Sequence, residues 1–198
     1  GTVRQEVIDA IETVAQVQSE IIREIQVFAV SNSQADAAEA AERERIAGEK
    51  LERVRTDLET QEQRGLLEIE RVRDEIIIRL ASQDSFRSGS AELTANFSQL
   101  ISEVAETVAS SEAMRVQVEG HSDNVPIAFS DEFRSNWDLS SARASAVTNI
   151  LLLDPALQAV RFSVVGFADT VPIASNESAE GRARNRRIEI KLAEFIED

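Results

Sequence analysis

The sequence predicts an α+β domain, a mixed sheet with helices on one face, preceded by a long helical stalk. Near the N-terminus, apolar residues recur at alternating steps of four and three, which is typical of a coiled coil. Beyond residue 70, short β-branched runs alternate with helical segments in the order βαβαβ, and a final strand follows. We therefore divide the chain into a helical coiled-coil stalk, residues 1–70, and a domain, residues 71–198.

The stalk carries an apolar seam with one polar position. Six residues follow the alternating spacing, namely Val7, Ile11, Val14, Ile21, Ile25 and Phe28. Gln18 fills the gap in this seam, where a polar side chain costs stability but can fix register and strand number. A single amphipathic helix packed on its own domain is the alternative interpretation. The wider stripe added by Val3, Val17 and Ile22 favours self-association as a homodimer.

The rest of the stalk has a weaker pattern. Polar residues 31–33 interrupt it, and residues 35–63 resume as an Ala-, Glu- and Arg-rich helix that is mostly solvated. Helical spacing continues through Leu66, Ile69 and Val72, so we expect the helix to extend to the domain boundary near residue 70.

The domain begins with a strand at 75–80, where β-branched residues cluster. The other predicted elements are strands at 114–119, 161–165 and 187–192, helices at 93–108 and 141–153, and a long loop at 166–178. Because helices connect successive strands, we expect parallel neighbours in the sheet.

Composition and charge exclude several classes of function. The formal charge of −15 argues against binding a nucleic-acid backbone or an anionic membrane surface, since both need clustered positive charge. The chain has no cysteine, which excludes disulfides and thiolate chemistry. The longest apolar runs fall far short of the roughly 20 residues that cross a bilayer. Because the chain begins at Gly1 without methionine, we expect that an upstream segment is missing from it.

The stretch before the second predicted helix has the features of a binding loop. Gly120 favours a turn, and Ser140 is a candidate N-cap for a helix whose first turn carries Arg143. Asp123 and Arg143 would then share one rim. A carboxylate and a guanidinium held in this way can bind a zwitterion, the carboxylate accepting an ammonium and the guanidinium clamping a carboxylate.

Three short motifs follow one another in order: GHSD at 120–123, LSSARA at 139–144 and GRARNRRIE at 181–189. Together they resemble the signatures of the OmpA-like peptidoglycan-binding domain, and three in order are specific where one would be weak. A second set of segments resembles the stator subunits of the MotB type more than the outer-membrane or lipoprotein versions: NVPI at 124–127, SNW at 135–137 and ADTVPIA at 168–174.

The resemblance implies a binding site without catalysis. The family's matching aspartate and arginine grip the zwitterionic centre of meso-diaminopimelate in the peptide stem, so Asp123 would take the ammonium and Arg143 the carboxylate. Only a guanidinium offers a planar two-donor fork, so lysine should not replace Arg143. The resemblance implies further contacts at Ser122, Asn124 and Asn136, and support from His121, Arg182, Asn185 and Arg186. It implies no catalytic residue, cofactor or metal ligand.

Several of these residues also have simpler interpretations. Asp123 can be a turn residue bonded to its own backbone, and Asn136 can be a cap or turn amide. The only histidine, His121, lacks the second histidine or the cysteine of an ordinary zinc site, so we expect a structural role through a ring hydrogen bond. Trp137 fits core or loop packing better than a platform for a sugar ring.

The segment 182–187 contains four arginines in an otherwise acidic chain. We expect Arg182 and Asn185 to tie the last loop to the binding loop, and the strand arginines to pair with acids at the surface. A structural role is favoured for this segment over direct ligand contact.

These observations predict a noncovalent anchor to the cell wall in the periplasm, part of a MotB-like stator. The partners implied are peptidoglycan, a second copy of the chain, and a MotA-like membrane channel subunit reached through an upstream membrane helix. A passive wall-to-membrane tether without a motor role is the first alternative, and a cell-wall hydrolase is the second. The sequence leaves open whether such a stator serves a flagellar motor or phage defence.

Overall fold

The computed structural model describes residues 2–82, 85–87, 89–113, 115–127 and 132–193. Contacts within the chain divide it into two compact units, Gly1–Ile46 and Ala47–Asp198. The boundary at residue 70 between a coiled-coil stalk and a domain stays a prediction. Among the described residues, no helix is both long enough and apolar enough to span a membrane.

The first unit is formed by α1, which runs without interruption over Thr2–Asp57 and continues into the second unit. The polar residues 31–33 do not break it. Ion pairs one turn apart, such as Arg43 with Glu39 at 2.6 Å, support its solvated surface. The predicted long helix is therefore confirmed, while its pairing with a second copy stays a prediction.

The second unit contains a five-stranded sheet in the order β1-β2-β5-β3-β4. The strands are β1 (Leu67–Val72), β2 (Glu75–Ala81), β3 (Arg115–His121), β4 (Arg161–Ala168) and β5 (Arg187–Ala193). The pair β3 and β4 is parallel, as expected for strands joined through a helix, and the other pairs are antiparallel. The final strand inserts between β2 and β3, so the mixed α+β sheet is confirmed.

The first strand corrects the prediction that helical spacing continues to Val72. Leu67 and Ile69 are buried and the residue between them is exposed, which is the period of a strand. Gly65 adopts a positive φ of 67° after α2 (Glu59–Gln63) and so ends the helical region. The apolar residues 66, 69 and 72 match a helix by spacing alone, but β2 offers a pairing edge to this segment.

Three further helices follow: α3 (Ala95–Ser110), α4 (Asn136–Leu151) and α5 (Ala179–Asn185). Each begins at a hydroxyl side chain that accepts a hydrogen bond from a backbone N–H in the first turn. The cap of α4 is Ser135, not Ser140 as predicted, so α4 begins five residues earlier than expected and Arg143 lies in its third turn. A 3₁₀ turn, Pro155–Ala159, follows α4.

The core lies on one face of the sheet. Alternate residues of the strands pack there against α3, α4 and the last turns of α1, and the fully buried ones include Ile78, Leu80, Val116, Val118, Ile190, Val104, Val147 and Val54. The helices therefore cover one face, as predicted.

The opposite face of the sheet carries a buried ion-pair network. Glu119 and Glu189 face each other across β3 and β5, an arrangement that repels unless cations intervene. Lys191 Nζ lies 2.8 Å from Glu119, and Arg187 Nε donates to Glu189 at 2.7 Å. Arg79 Nε also donates to Glu189, at 3.0 Å. The strand arginine Arg187 is 2% exposed, so it pairs with an acid as predicted, but in the interior rather than at the surface.

Acid is expected to destabilise the second unit through this network. Burial raises the pKa of Glu119, but the nearby His121 ring, the Lys191 ammonium and the Gln117 amide outweigh burial and bring the pKa to about 2. Because the folded pKa lies below the unfolded value of about 4.3, the stabilisation is complete above that value and is lost as the pH falls towards 2. We expect the unfolding free energy to drop by about 2–3 kcal/mol over this range.

Urea unfolding followed by circular dichroism at pH 7, 5, 4 and 3 measures this loss. Glu119→Gln should flatten the dependence on pH, whereas the matched change at an exposed helical site, Glu106→Gln, should leave it unchanged. An identical pH slope in both variants would show that the network does not set acid stability.

Candidate functional site

The end of β3 and the start of α4 touch through a glycine. A Cβ added at Gly120 would lie 2.0 Å from the carbonyl oxygen of Ser140. This oxygen belongs to the backbone, so it cannot move aside as the end of a flexible side chain could. Gly166 on β4 makes a similar approach, where a Cβ would meet the Ser141 hydroxyl at 2.1 Å. The Ser140 hydroxyl accepts from Ala168 N at 3.2 Å, so Ser140 fastens α4 to β4 rather than capping the helix. These contacts bring α4 against the turn that follows β3.

Gly120→Ala is therefore expected to lower the unfolding free energy by about 1–3 kcal/mol, because α4 must move away from β3 to make room. Gly48→Ala is the matched control, since nothing lies within 4 Å of an added Cβ in α1. In a helix this change should be neutral or stabilising, by up to about 1 kcal/mol. Chemical unfolding of both variants tests the difference, and equal effects would contradict the close approach.

Asp123 lies directly after β3 with only 6% of its surface exposed. Its Oδ1 accepts a hydrogen bond from Val125 N at 3.0 Å, so it forms the turn suggested as its simpler interpretation. Its Oδ2 accepts from Arg186 Nη1 at 2.5 Å. The carboxylate therefore shapes the turn with one oxygen and pairs with a cation through the other.

Arg143 lies on α4 beside this pair. Its Nε donates to the carbonyl oxygen of Ser90 at 3.0 Å, and its guanidinium carbon stands 4.8 Å from the centre of the Phe86 ring. Burial and the charge of Arg186 lower the pKa of Arg143 and the charge of Asp123 opposes them, so that the pKa is about 10. Arg143 therefore remains a cation at neutral pH, within electrostatic reach of both groups.

Arg186 has a more direct role in the site than the sequence predicts. It was expected only to support the site, but it is the cation that pairs with Asp123, and its side chain is 34% exposed. The site thus combines one carboxylate with two guanidinium groups, Arg143 and Arg186. The sequence does show that Arg186 follows Asn185 and directly precedes the last strand. The antiparallel pairing of β3 and β5 brings the start of that strand opposite the end of β3, and so places Arg186 near Asp123.

The remaining predicted contacts surround this turn. Asn136 Nδ2 donates to the carbonyl oxygens of Asp123 at 3.3 Å and Val125 at 2.9 Å, which is the role of a turn amide. Ser122 is buried, and its hydroxyl donates to the Asp123 carbonyl at 2.9 Å. Asn124 is exposed on the same turn. The structure therefore brings together Asp123, Arg143 and Arg186, with Asn136 bracing the loop.

Arg182 and Asn185 hold the last loop, as predicted. Asn185 accepts from the backbone N–H groups of Ile173 and Ala174, each at 2.9 Å, and donates to Ala174 O at 2.8 Å. Arg182 Nη1 donates to the carbonyl oxygen of Asn176 at 2.8 Å. Their partners lie in the loop after β4, and within the described residues none of these hydrogen bonds reaches the Asp123 turn, so the predicted tie to the binding loop is not found there.

His121 is structural, but not through a ring hydrogen bond. Within the described part of the chain neither ring nitrogen has a hydrogen-bond partner, although Nε2 lies 3.3 Å from Glu119 Oε2, at ion-pair distance. The ring instead stacks on Phe167, with centroids 5.3 Å apart. Donor atoms of Glu119, His121 and Glu189 lie within 4.8 Å of one another. Because Lys191 and Arg187 already compensate both carboxylates, this cluster is better described as an ion-pair network than as a metal centre.

The second unit has two further surface features, an exposed tryptophan and a cleft. Trp137 is 51% exposed, so core packing does not account for it. A cleft of about 460 Å³ lies between the end of α2 and α3, lined by residues such as Arg64, Phe97 and Glu103. None of the predicted site residues lines that cleft, and we place the functional site at the Asp123 turn because the charged groups converge there.

The chain is similar in sequence to proteins of known name. The chain is 35% identical over 126 residues to Motility protein B of Bacillus subtilis, an alignment that covers 64% of this chain and 48% of that protein. It is 40% identical over 75 residues to Outer membrane porin F of Pseudomonas aeruginosa, covering 38% and 20% respectively. The chain spans about half the length, or less, of these curated relatives.

Solved structures agree with the fold. The cell wall anchor of the T6SS from Pseudomonas aeruginosa superposes with a TM-score of 0.66 at 36% identity, covering 72% of this chain and 97% of that one. The periplasmic domain of Helicobacter pylori MotB, residues 78–256, gives a TM-score of 0.57 at 25% identity, covering 67% and 84%. The model of the OmpA family matches residues 85–186, which is just over half of the chain and includes Asp123, Arg143 and Arg186. The chain therefore belongs to the OmpA family, with Motility protein B among its relatives.

Proposed function

We propose that this chain binds peptidoglycan noncovalently and anchors a membrane assembly to the cell wall. The observation that carries the proposal is the convergence of one carboxylate and two guanidinium groups at the end of β3, where the ends of two strands and a helix meet. The Asp123 carboxylate is engaged by Val125 N and by Arg186, an arrangement that favours binding a ligand through charge and hydrogen bonds. We therefore propose a binding function without catalysis.

The ligand that fits these charges is a zwitterion such as the free end of meso-diaminopimelate in a peptide stem. Its ammonium would pair with Asp123 Oδ2, the oxygen that accepts a hydrogen bond from Arg186. Its carboxylate would be held by Arg143, whose Nε is fixed by Ser90 O and whose Nη groups make no hydrogen bond within the described residues. Arg186 is partly exposed, so it can turn from Asp123 to the incoming carboxylate.

The assembly that we propose is a MotB-like stator in the periplasm. Support comes from the relatives, which include a protein named Motility protein B and a structure described as the cell wall anchor of the T6SS. In this proposal an upstream helix holds the chain in the inner membrane beside a MotA-like channel subunit, and α1 pairs two copies. A passive wall-to-membrane tether uses the same wall contacts without the channel subunit. The neighbouring genes and the native upstream sequence distinguish the two.

Co-sedimentation with insoluble peptidoglycan tests the binding function directly. The chain should appear in the pellet with purified sacculi and stay in the supernatant without them. A gel containing embedded peptidoglycan serves as the control for the remaining alternative, because a wall hydrolase would leave a cleared zone and a binding protein would not. Failure to sediment at low salt would overturn the proposal.

A further inference from the structure

The cleft between the end of α2 and α3 lies outside the charged site and is large enough to hold a ligand. Its volume of about 460 Å³ falls in the range of about 300–1,000 Å³ that is typical of ligand-binding clefts. Leu66, Phe97 and Leu100 supply its apolar lining. An apolar lining with a small number of polar groups is the usual composition of a binding site.

The polar groups of this cleft suit a peptide that carries a carboxylate. Arg64 is exposed there, and within the described part of the chain no hydrogen bond or ion pair engages its guanidinium. Glu103 also lines the cleft, and its carboxylate accepts from the side-chain amides of Gln61 at 2.7 Å and Gln99 at 3.3 Å. Asn96 adds an exposed amide. The guanidinium therefore offers a fork for a carboxylate, and the amides offer partners for a peptide backbone.

The cleft lies at the same end of the sheet as the charged site. Ala81, the last residue of β2, lines the cleft and pairs with Arg187, the first residue of β5. Arg187 in turn pairs with His121, the last residue of β3, which leads into the Asp123 turn. Two strand spacings of about 4.8 Å each therefore separate the cleft wall at Ala81 from the end of β3.

Direct contacts connect the two sites as well. The centre of the Phe86 ring lies 4.8 Å from the guanidinium carbon of Arg143 and 5.3 Å from the centre of the Phe97 ring, which lines the cleft. One residue beyond the end of β2, Ser82 N donates to Arg186 O at 2.9 Å. A peptide of three residues spans about 10 Å when extended, so a ligand held at the charged site can reach the cleft.

We propose that this cleft binds the carboxyl-terminal end of the stem peptide while the charged site holds its diamino acid. This inference rests on the proposed function. A stem peptide continues beyond the diamino acid with alanine and ends in a free carboxylate, which pairs with the Arg64 guanidinium. The small alanine side chains fit against the apolar lining. Each carboxylate oxygen accepts more than one hydrogen bond, so Glu103 can also accept from the peptide backbone. The cleft thereby distinguishes stem peptides by the length and charge of their carboxyl-terminal end.

The test compares three synthetic peptides that share the same free zwitterionic end. One is a tripeptide that stops at meso-diaminopimelate, and the other two are pentapeptides with two further D-alanines, ending in a carboxylate or in a carboxamide. We expect the parent chain to bind the acid pentapeptide about tenfold more tightly than the amide, which corresponds to about 1.4 kcal/mol. Titration calorimetry of the whole chain measures the three affinities.

Three variants assign the difference to the cleft. Arg64→Ala should make the acid and the amide equal and keep the affinity for the tripeptide within about twofold. Asn96→Trp should fill the cleft and reduce both pentapeptides to the affinity of the tripeptide. Arg53→Ala is the matched control, because it removes the same charge from an exposed position on α1 outside the cleft, and it should preserve the tenfold preference.

The outcomes separate this inference from the proposed function. A parent chain that binds the tripeptide but does not prefer the acid pentapeptide refutes the cleft and leaves the proposed function intact. An Arg64→Ala variant that keeps the preference, or that loses all three affinities equally, also refutes it. A parent chain that binds none of the three peptides refutes the proposed function itself.

Discussion

Replacing Asp123 or Arg143 by alanine is expected to abolish the retention of this chain on insoluble peptidoglycan. Asp123→Ala leaves Arg143 and Arg186 unopposed, so the site would repel the ammonium that it is proposed to bind. Arg143→Ala removes the fork that is proposed to clamp the carboxylate. Losing one partner of a buried charge pair costs about 2–5 kcal/mol of binding, which is at least a tenfold loss of affinity. Co-sedimentation with sacculi over a range of protein concentrations measures it.

Two conservative variants separate binding from folding. Asp123→Asn keeps an acceptor for Val125 N and so preserves the turn, but it loses the charge. Arg143→Lys keeps the charge but loses the planar fork, and we expect it to bind little better than the alanine variant. Asp74→Ala and Arg161→Ala make the same charge changes away from the site, in the β1–β2 turn and at the first residue of β4, and should bind as the parent does. Normal sedimentation of both alanine variants at Asp123 and Arg143 would refute the site.

Much of the fold follows from the sequence because alternation and amphipathic spacing survive in most elements. The strands β2, β3, β4 and β5 and the helices α3 and α4 all contain segments predicted from the pattern of apolar residues. The exception is β1, whose apolar residues also fit a helical period. Local spacing cannot decide such a case, because it is the edge of β2 that selects the strand.

The site was less predictable than the fold. The motifs pointed to Asp123 and Arg143, but they could not show which arginine pairs with the carboxylate, because that depends on β5 inserting next to β3. The sequence also could not predict that Trp137 is exposed, because a tryptophan at the start of a helix can be either buried or exposed. The cap of α4 was misplaced because Ser135 and Ser140 are both acceptable caps, and only the contact of Ser140 with Ala168 N distinguishes them.

Replacing both Ile11 and Ile25 by glutamate is expected to convert the dimer into monomers. Both side chains lie in the seam, and in the single chain they are 63% and 62% exposed, so an apolar stripe is left without cover. Burying one isoleucine contributes about 1.5–3 kcal/mol, so four replaced in a dimer remove about 6–12 kcal/mol. A dimer of micromolar affinity is held by only about 8 kcal/mol. Like charges facing each other across the seam add to this loss, and light scattering should report the mass of one chain.

The matched control places the same charges on the other side of α1. Val27 and Val30 are 65% and 57% exposed, and at about 100° per residue they point well away from the seam. Val27→Glu with Val30→Glu should therefore leave the dimer intact, although the net charge changes by the same amount. Because two domains on one stalk bind a polymeric wall together, the seam variant should also be retained more weakly on sacculi while binding a soluble peptide normally. A parent chain that is monomeric at high concentration, even with its upstream segment restored, would contradict pairing through α1.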